Sequence, residues 1–382
     1  MSRDQDWQDF ESSLVSLKEQ SRIRRLVPRQ SKGTELIDAD GTVLVNFGTN
    51  DYLGLAAEPF NAKTSVGGAG ASALVCGWSA QHGALAERLA EFEQTESAAL
   101  FPSGFAACSG TVATLCKSDD LILSDRLNHA SLIDGCRLSR SECVVYPHRD
   151  VTFVAELLRQ KRSHYRRVWI VTESVFSMDG HVAPLPDLVN IADRYDATLI
   201  VDEAHGTGVL GQHLSGACEA FGLKGRVPIR IGTLSKAIGS QGGFVVGPQV
   251  IVDYLINHCR PLIFSTALSP LAVESASRFF QNPKRLVERR DRVAKFAARL
   301  RQTLGLQTET IEAGIPIVPW VIGGDGDALA KAAQLRQLGL FVPAIRPPTV
   351  PPGTSRLRIS LSAALEDSMF ERLIAGLGGA AN

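Results

Sequence analysis

RVWIVTESVFSMDGHVAPLPDLVNIADRYDATLIVDEAHGTG, residues 167–208, is the stretch whose reading decides the fold. RVWIVTES and ATLIVDEA are short apolar runs that read as strands, and LPDLVNIADRY between them reads as a helix. A strand, a crossover helix and a second strand make the unit that lies parallel within a sheet. The same alternation extends in both directions, from about residue 80 to 247. SAALFPS, DLILSD, CVVYP, IRIGT and GGFVVG add five strands, and HGALAERLAEFEQ adds another helical stretch. The expectation is an α/β domain with a mostly parallel seven-stranded sheet covered on both faces.

Beyond STALSP the pattern changes. A long charged helix is expected near residues 282–304, followed by IPIVPWVIG, a helix at DALAKAAQLRQLG, the strand-like SRLRISLS and a last helix at LEDSMFERLIAGLG. That reads as a smaller α+β domain. Ahead of the sheet, Trp7, Phe10, Leu14 and Leu17 recur at helical spacing, predicting an amphipathic helix over residues 7–26 that stops at Pro28. ELIDADGTVLVNF then predicts a hairpin around DADG. The expected division is an N-terminal arm and hairpin over 1–46, a large domain over 47–265 and a C-terminal domain over 266–382.

Composition narrows the function. The 382 residues are 45% apolar and 21% charged, and 40 basic residues balance 40 acidic ones. With no net charge, no whole-molecule field gathers nucleic acid or an anionic bilayer, so any anion site must be local. Neither a basic-then-apolar leader nor a run of eighteen apolar residues is present. The seven cysteines are odd in number and never spaced as CxxC, which fits neither a disulfide framework nor a zinc site. The expectations are a cytoplasmic protein with no metal.

Asp202 falls where a strand ends, and in open α/β sheets ligands gather outside the carboxyl ends of strands. DEAH also occurs in nucleotide-driven motors, but those need a GK-containing phosphate loop, and the chain has no GK dipeptide. Asp202 could equally cap the following turn, with His205 a satisfied core histidine. Lys236 follows the next strand, in IGTLSKAIGSQGG, where a lysine is hemmed in by small residues. An amine and a carboxylate on neighbouring strand ends suit an imine-forming cofactor. Pyridoxal 5′-phosphate (PLP) would join Lys236 as a Schiff base, and Asp202 would keep its ring nitrogen protonated. FPSGFAACSG supplies a small-residue turn before a helix, so Gly104 and Phe105 N–H groups would meet the phosphate, with Thr233 adding a hydroxyl.

Those residues, with NDYLGL, DRLNHASLIDG, VFSMDGHVAPL, DEAHGTGVLG, TLSKAIG and IRPPTVPPGTSRLRISLSA, resemble the α-oxoamine synthases, PLP enzymes of the aspartate aminotransferase fold (fold type I). The last segment looks most like the branch that makes a biotin precursor from L-alanine and a pimeloyl thioester. The resemblance implies that Lys236 binds the cofactor and then takes the Cα proton, that Asp202 pairs with the ring nitrogen, and that His129 stacks on the ring. It implies further that His205 and Ser177 meet the phenolic oxygen side, that Ser265 and Thr266 reach the phosphate of a neighbouring subunit, and that the enzyme is a homodimer. Asn50 and Arg358 would grip the amino-acid carboxylate, and Arg24 and Thr349 would meet the acyl substrate, carried on coenzyme A or acyl carrier protein. Taken alone, Arg24 reads as a solvated helix end, His129 as a core residue, Arg358 as a cross-strand partner and Asn50 as a turn residue. One departure stands out: residues 56–75 are shorter than the family usually shows, as though a helix were trimmed, and Trp78 replaces a usual tyrosine. A sister synthase using glycine and acetyl-CoA, and a non-catalytic subunit of the same fold, are the competing readings.

Overall fold

The structure is a computed structural model, in which residues 7–378 are described. The chain divides into two compact units, Asn50–Val293 and residues up to 49 joined with those from 294 onward.

In Asn50–Val293 seven strands form one sheet, in the order Ser97–Phe101, Gly243–Gly247, Ile229–Thr233, Thr198–Asp202, Val168–Glu173, Leu121–Asp125, Glu142–Tyr146. Gly243–Gly247 runs antiparallel to both its neighbours, and the other adjacent pairs are parallel. This is the mostly parallel, seven-stranded sheet expected from the sequence. All six residues of Val168–Glu173 are buried. Its side chains alternate, placing Val168 and Ile170 in one apolar cluster and Trp169 and Val171 in the other. Helices therefore cover both faces, and truncating a side chain such as Ile170 to alanine would cost about 2–5 kcal/mol.

The alternation carries through to the strand ends. Glu173 keeps the parity of Trp169 and Val171, Asp202 that of Ile200, and Thr233 that of Ile229 and Ile231. Those apolar residues share a cluster with Ala107, Cys108 and Val112 of helix Gly104–Leu115. Three adjacent strands thus present Glu173, Asp202 and Thr233 at one edge and on one face.

In the other unit, Arg29–Lys32, Glu35–Asp38 and Val43–Asn46 form an antiparallel meander, and Leu340–Phe341 adds a parallel strand to its edge. Ile317–Gly323, Ser355–Ser360 and Ala344–Ile345 form a second small sheet. Phe47 O accepts the Ser360 N–H at 2.8 Å. Where the sequence suggested a separate arm over 1–46, these pairings bind the N-terminal segment to C-terminal strands.

The N-terminal helix is also shorter than its periodicity suggested, spanning Gln8–Glu19 instead of 7–26. Ser21 adopts a positive φ of 57°, and the Arg22 and Ile23 N–H groups fold back onto Leu17 O, closing the helix well before Pro28. Residues 266–293 group with the large sheet, because helix Pro270–Ser277 packs on helix Ala80–Glu93; the unit boundary falls inside helix Pro283–Thr303. Within residues 56–75 a helical turn, Ala73–Gly77, begins only near the end.

Candidate active site

Loops leaving the carboxyl ends of five strands close around a cavity of about 210 Å³, lined among others by Gly104, His129, Glu173, Asp202, His205 and Lys236. The amine and the acid singled out in the sequence therefore face one space. A larger hollow, about 450 Å³, lies against Phe92, Phe279 and Phe280, but its titratable groups, Arg88, Glu91, His213 and Lys284, are exposed and none stands at a strand's carboxyl end, so size alone does not locate the site.

Asp202 is buried. Its Oδ1 accepts the Ala204 N–H at 2.8 Å, so its turn-capping role is present, and Oδ2 accepts from Cys108 Sγ at 3.2 Å. Burial and the adjacent carboxylate push the Cys108 thiol well up, which keeps it protonated as a donor.

Lys236 Nζ lies 2.8 Å from His205 Nε2, and His205 Nδ1 lies 2.6 Å from Tyr52 Oη, which donates to Asn50 Oδ1 at 3.3 Å. When the lysine donates, Nε2 must accept; Nδ1–H then donates to Tyr52 Oη, whose proton goes on to Asn50. The four groups make one directional chain. Tyr52 is fully buried.

Helix Gly104–Leu115 points its N-terminus at the cavity. Ser103 Oγ takes the Ala106 N–H at 3.1 Å and Ser103 O takes that of Ala107, leaving the Gly104 and Phe105 N–H groups unclaimed by the helix. A Cβ on Gly104 would sit 3.0 Å from Thr233 Oγ1, a tight contact that would push the threonine by a few tenths of an ångström. The Thr233 hydroxyl bonds Gly242 O at 2.9 Å and Ser235 Oγ at 2.7 Å, and its lone-pair side is shared with the Ser235 N–H.

His129 is the N-cap of helix Ala130–Ser139; its Nδ1 accepts the Ser131 N–H at 3.2 Å, and its ring sits edge-on to Phe105. Packed atoms around the ring lower its pKa, favouring neutral imidazole at the cavity mouth. Ser177 is buried, and its N–H donates to Glu173 Oε2 at 3.3 Å.

Ser265 and Thr266 do not line this cavity, and Thr266 bridges to Ser72. Arg24, Thr349 and Arg358 belong to the other unit. There Arg24 Nη2 reaches Thr349 Oγ1 at 3.4 Å and Pro347 O at 3.2 Å, so two residues 325 positions apart, both expected at the acyl substrate, are brought together. Arg358 is buried on Ser355–Ser360 and donates to Ser360 Oγ at 2.6 Å.

Sequence reasoning missed Tyr52, Cys108, Ser235 and Glu173. Glu173 had a signal, since a charged residue closing an otherwise apolar strand beside the Asp202 strand is placed just as Asp202 is. Cys108 had none, because a cysteine one helical turn into an apolar helix reads as core. Among the described residues no cluster of His, Cys, Asp and Glu could hold a metal ion, and no helix is long and apolar enough to cross a membrane.

The chain was compared with known proteins. The family Aminotransferase class I and II matches residues 42–377. The 8-amino-7-oxononanoate synthase of Anaeromyxobacter dehalogenans is 43% identical over 97% of this chain and 94% of that protein. That of Lysinibacillus sphaericus is 41% identical over 93% of each. Among solved structures, serine palmitoyltransferase of Sphingomonas wittichii is 29% identical, with a TM-score of 0.89 over 100% of this chain and 98% of that one. A structure of SPT with PLP internal aldimine is 27% identical, with a TM-score of 0.90 over 100% and 98%.

Proposed function

The chain belongs to the class I and II aminotransferase family, and on that premise we propose that it condenses L-alanine with a pimeloyl thioester, releasing carbon dioxide and thiol and giving 8-amino-7-oxononanoate for biotin synthesis. The observation that carries the reading is the shared cavity of Lys236 and Asp202 in a chain so similar to those synthases.

The cavity fits pyridoxal phosphate. It offers an anion cradle at Gly104 and Phe105 that a Cβ would crowd against Thr233, a buried carboxylate, and a lysine amine, all on one sheet edge. Bound there, the cofactor supplies an electron sink for charge developing at the amino-acid Cα.

The residues divide the remaining work. Gly104, Phe105 and Thr233 would hold the phosphate. Asp202 would keep a proton on the ring nitrogen, and Cys108 and the Ala204 N–H hold that carboxylate in one orientation. His129 would cover one ring face, and Ser177 and His205 the phenolic oxygen side. The Lys236 amine would anchor the cofactor and, once displaced, accept the alanine Cα proton at Nζ. Tyr52 and His205 would help to aim that amine through their hydrogen-bonded chain.

Arg358 is the candidate for the alanine carboxylate, its planar fork matching two oxygens, and Asn50 is a second. Arg24 and Thr349 are candidates for the acyl substrate, with coenzyme A or acyl carrier protein as the thiol carrier. Ser265 and Thr266 would complete the site of a second copy in a cytoplasmic homodimer.

Incubation with labelled alanine and a series of thioesters, read by product mass, tests the reading. Preference for alanine with a pimeloyl thioester is expected; a clear preference for glycine with acetyl-CoA overturns the substrate assignment. Borohydride reduction of the loaded chain should leave the cofactor mass on the Lys236 peptide, and a chain that takes up no cofactor would support the non-catalytic reading.

A further inference from the structure

Glu173 ends the strand beside Asp202, and the two are direct register partners in parallel strands, so both carboxyls leave the sheet on the same side. Glu173 is 2% exposed and lines the cavity. Its Oε2 accepts the Ser177 N–H at 3.3 Å, and the backbone amide of His129 faces the same carboxyl group. Its own N–H is held by Asn128 Oδ1 at 3.1 Å. Oε1, by contrast, is buried without a hydrogen-bond partner. A buried polar oxygen left unmatched in a protein interior is costly, and one that lines a cavity marks a place where a ligand group completes the bonding.

From this geometry we infer that Glu173 is a positioning residue of the cofactor site: it ties the His129 and Ser177 loops to one strand end as a neutral acid, with Oε1 offering a hydrogen-bond donor inward. The inference rests on the pyridoxal phosphate reading above. Two anions on register-paired strand ends would repel one another across a water-poor space, whereas one neutral acid beside one carboxylate does not. The titratable groups that line the cavity with Glu173 are Asp202, Cys108, His129, His205 and Lys236. Burial raises the Glu173 carboxyl well above the ordinary range, Asp202 raises it further, and Lys236 opposes them; the first two prevail. Glu173 therefore supplies no second negative charge, and Asp202 alone performs that task.

The test uses Glu173→Gln and Glu173→Ala in the full chain, with folding checked by circular dichroism and cofactor affinity measured by titrating the apo protein with pyridoxal phosphate. Glutamine keeps an acceptor for the Ser177 N–H and puts a donor at the Oε1 position, so it imitates the protonated acid. Glu173→Gln should bind the cofactor within about threefold of the unaltered chain, and Glu173→Ala about tenfold or more weakly, as expected for one lost buried hydrogen bond with loss of loop support. In infrared spectra of the apo protein near neutral pH, the unaltered chain should show a buried carboxylic-acid carbonyl band that Glu173→Gln lacks. Glutamine binding as weakly as alanine, or no band difference, overturns the neutral-acid assignment. Alanine binding as tightly as the unaltered chain overturns the positioning role. Should the unaltered chain itself take up no cofactor, the functional reading fails, and the infrared comparison still decides the charge on Glu173.

Discussion

Strand Ile229–Thr233 connects two regions that treat buried charge differently. Near its start Arg230 is 2% exposed, bonded through Nε to Glu93 Oε2 at 3.2 Å, and its other nitrogens donate to Lys224 O, Val227 O and Glu93 O. About 10 Å along, at its other end, Thr233 faces a cavity that Glu173, Asp202 and Lys236 also line, with Lys236 hydrogen-bonded into a relay of side chains. In the first region a fork of donors is turned inward and met by three backbone carbonyls and one carboxylate oxygen, as a cation removed from water requires. In the second, polar groups converge on an open cavity, where a ligand can reach them. The difference teaches that a buried charge does not mark a functional site, since Glu93 Oε1 and Glu173 Oε1 are both unmatched; titratable groups converging on a cavity at the carboxyl ends of strands do.

If that division holds, mutations at the two ends change different observables. The largest effect is expected for Lys236→Ala, which should lower turnover on the order of 10⁴-fold, the upper range for loss of a positioned proton acceptor, while apo stability to urea stays nearly unchanged. A comparable loss of stability from Lys236→Ala would break the comparison. Next comes Arg230→Met, which strands Glu93 in the interior and should destabilise the chain by about 3–5 kcal/mol in urea unfolding, with the turnover of the folded fraction preserved.

Tyr52→Phe sharpens the comparison within the cavity. It removes one hydroxyl from the relay and leaves the ring buried, so a fall in kcat of about tenfold or less with unaltered cofactor affinity is expected. Loss of cofactor affinity instead would assign Tyr52 to binding and not to aiming the amine. A pH dependence is expected at the structural end. Burial, outweighing Arg230, pushes Glu93 up to about 7. A carboxyl raised in the folded state favours folding while protonated. Its stability contribution is therefore complete below the unfolded value of 4.5 and is lost as pH rises through about 7. Urea unfolding of the unaltered chain and of Glu93→Gln, at about pH 5 and about pH 8, should show a decline for the first that is smaller in the second.

Reading strands from the sequence worked best where side chains alternate between two buried faces, as in Val168–Glu173, since apolar content and length together leave few other structures. It worked less well at Ser21, where a single positive φ ends a helix that the apolar spacing would have extended to Pro28. At the cavity, Asp202 and Lys236 were legible because each is an unusual residue closing an apolar strand or standing among small ones. Glu173 had the same signature and went unread, because nothing along the chain shows that its strand lies directly beside that of Asp202. Tyr52 and Cys108 carried no signature, being ordinary core residues until a distant partner gives their polar atoms a role.

By itself the sequence determined the βα alternation, the seven strands and the pairing of an amine with an acid, because periodicity and residue chemistry act over neighbours in the chain. Only the tertiary structure decided that Glu173, Asp202 and Thr233 share one face, that Tyr52 reaches Lys236 through His205, and that Arg24 meets Thr349. Strand order and register set those meetings, and both arise from packing two faces of a sheet at once, which no local stretch of chain encodes.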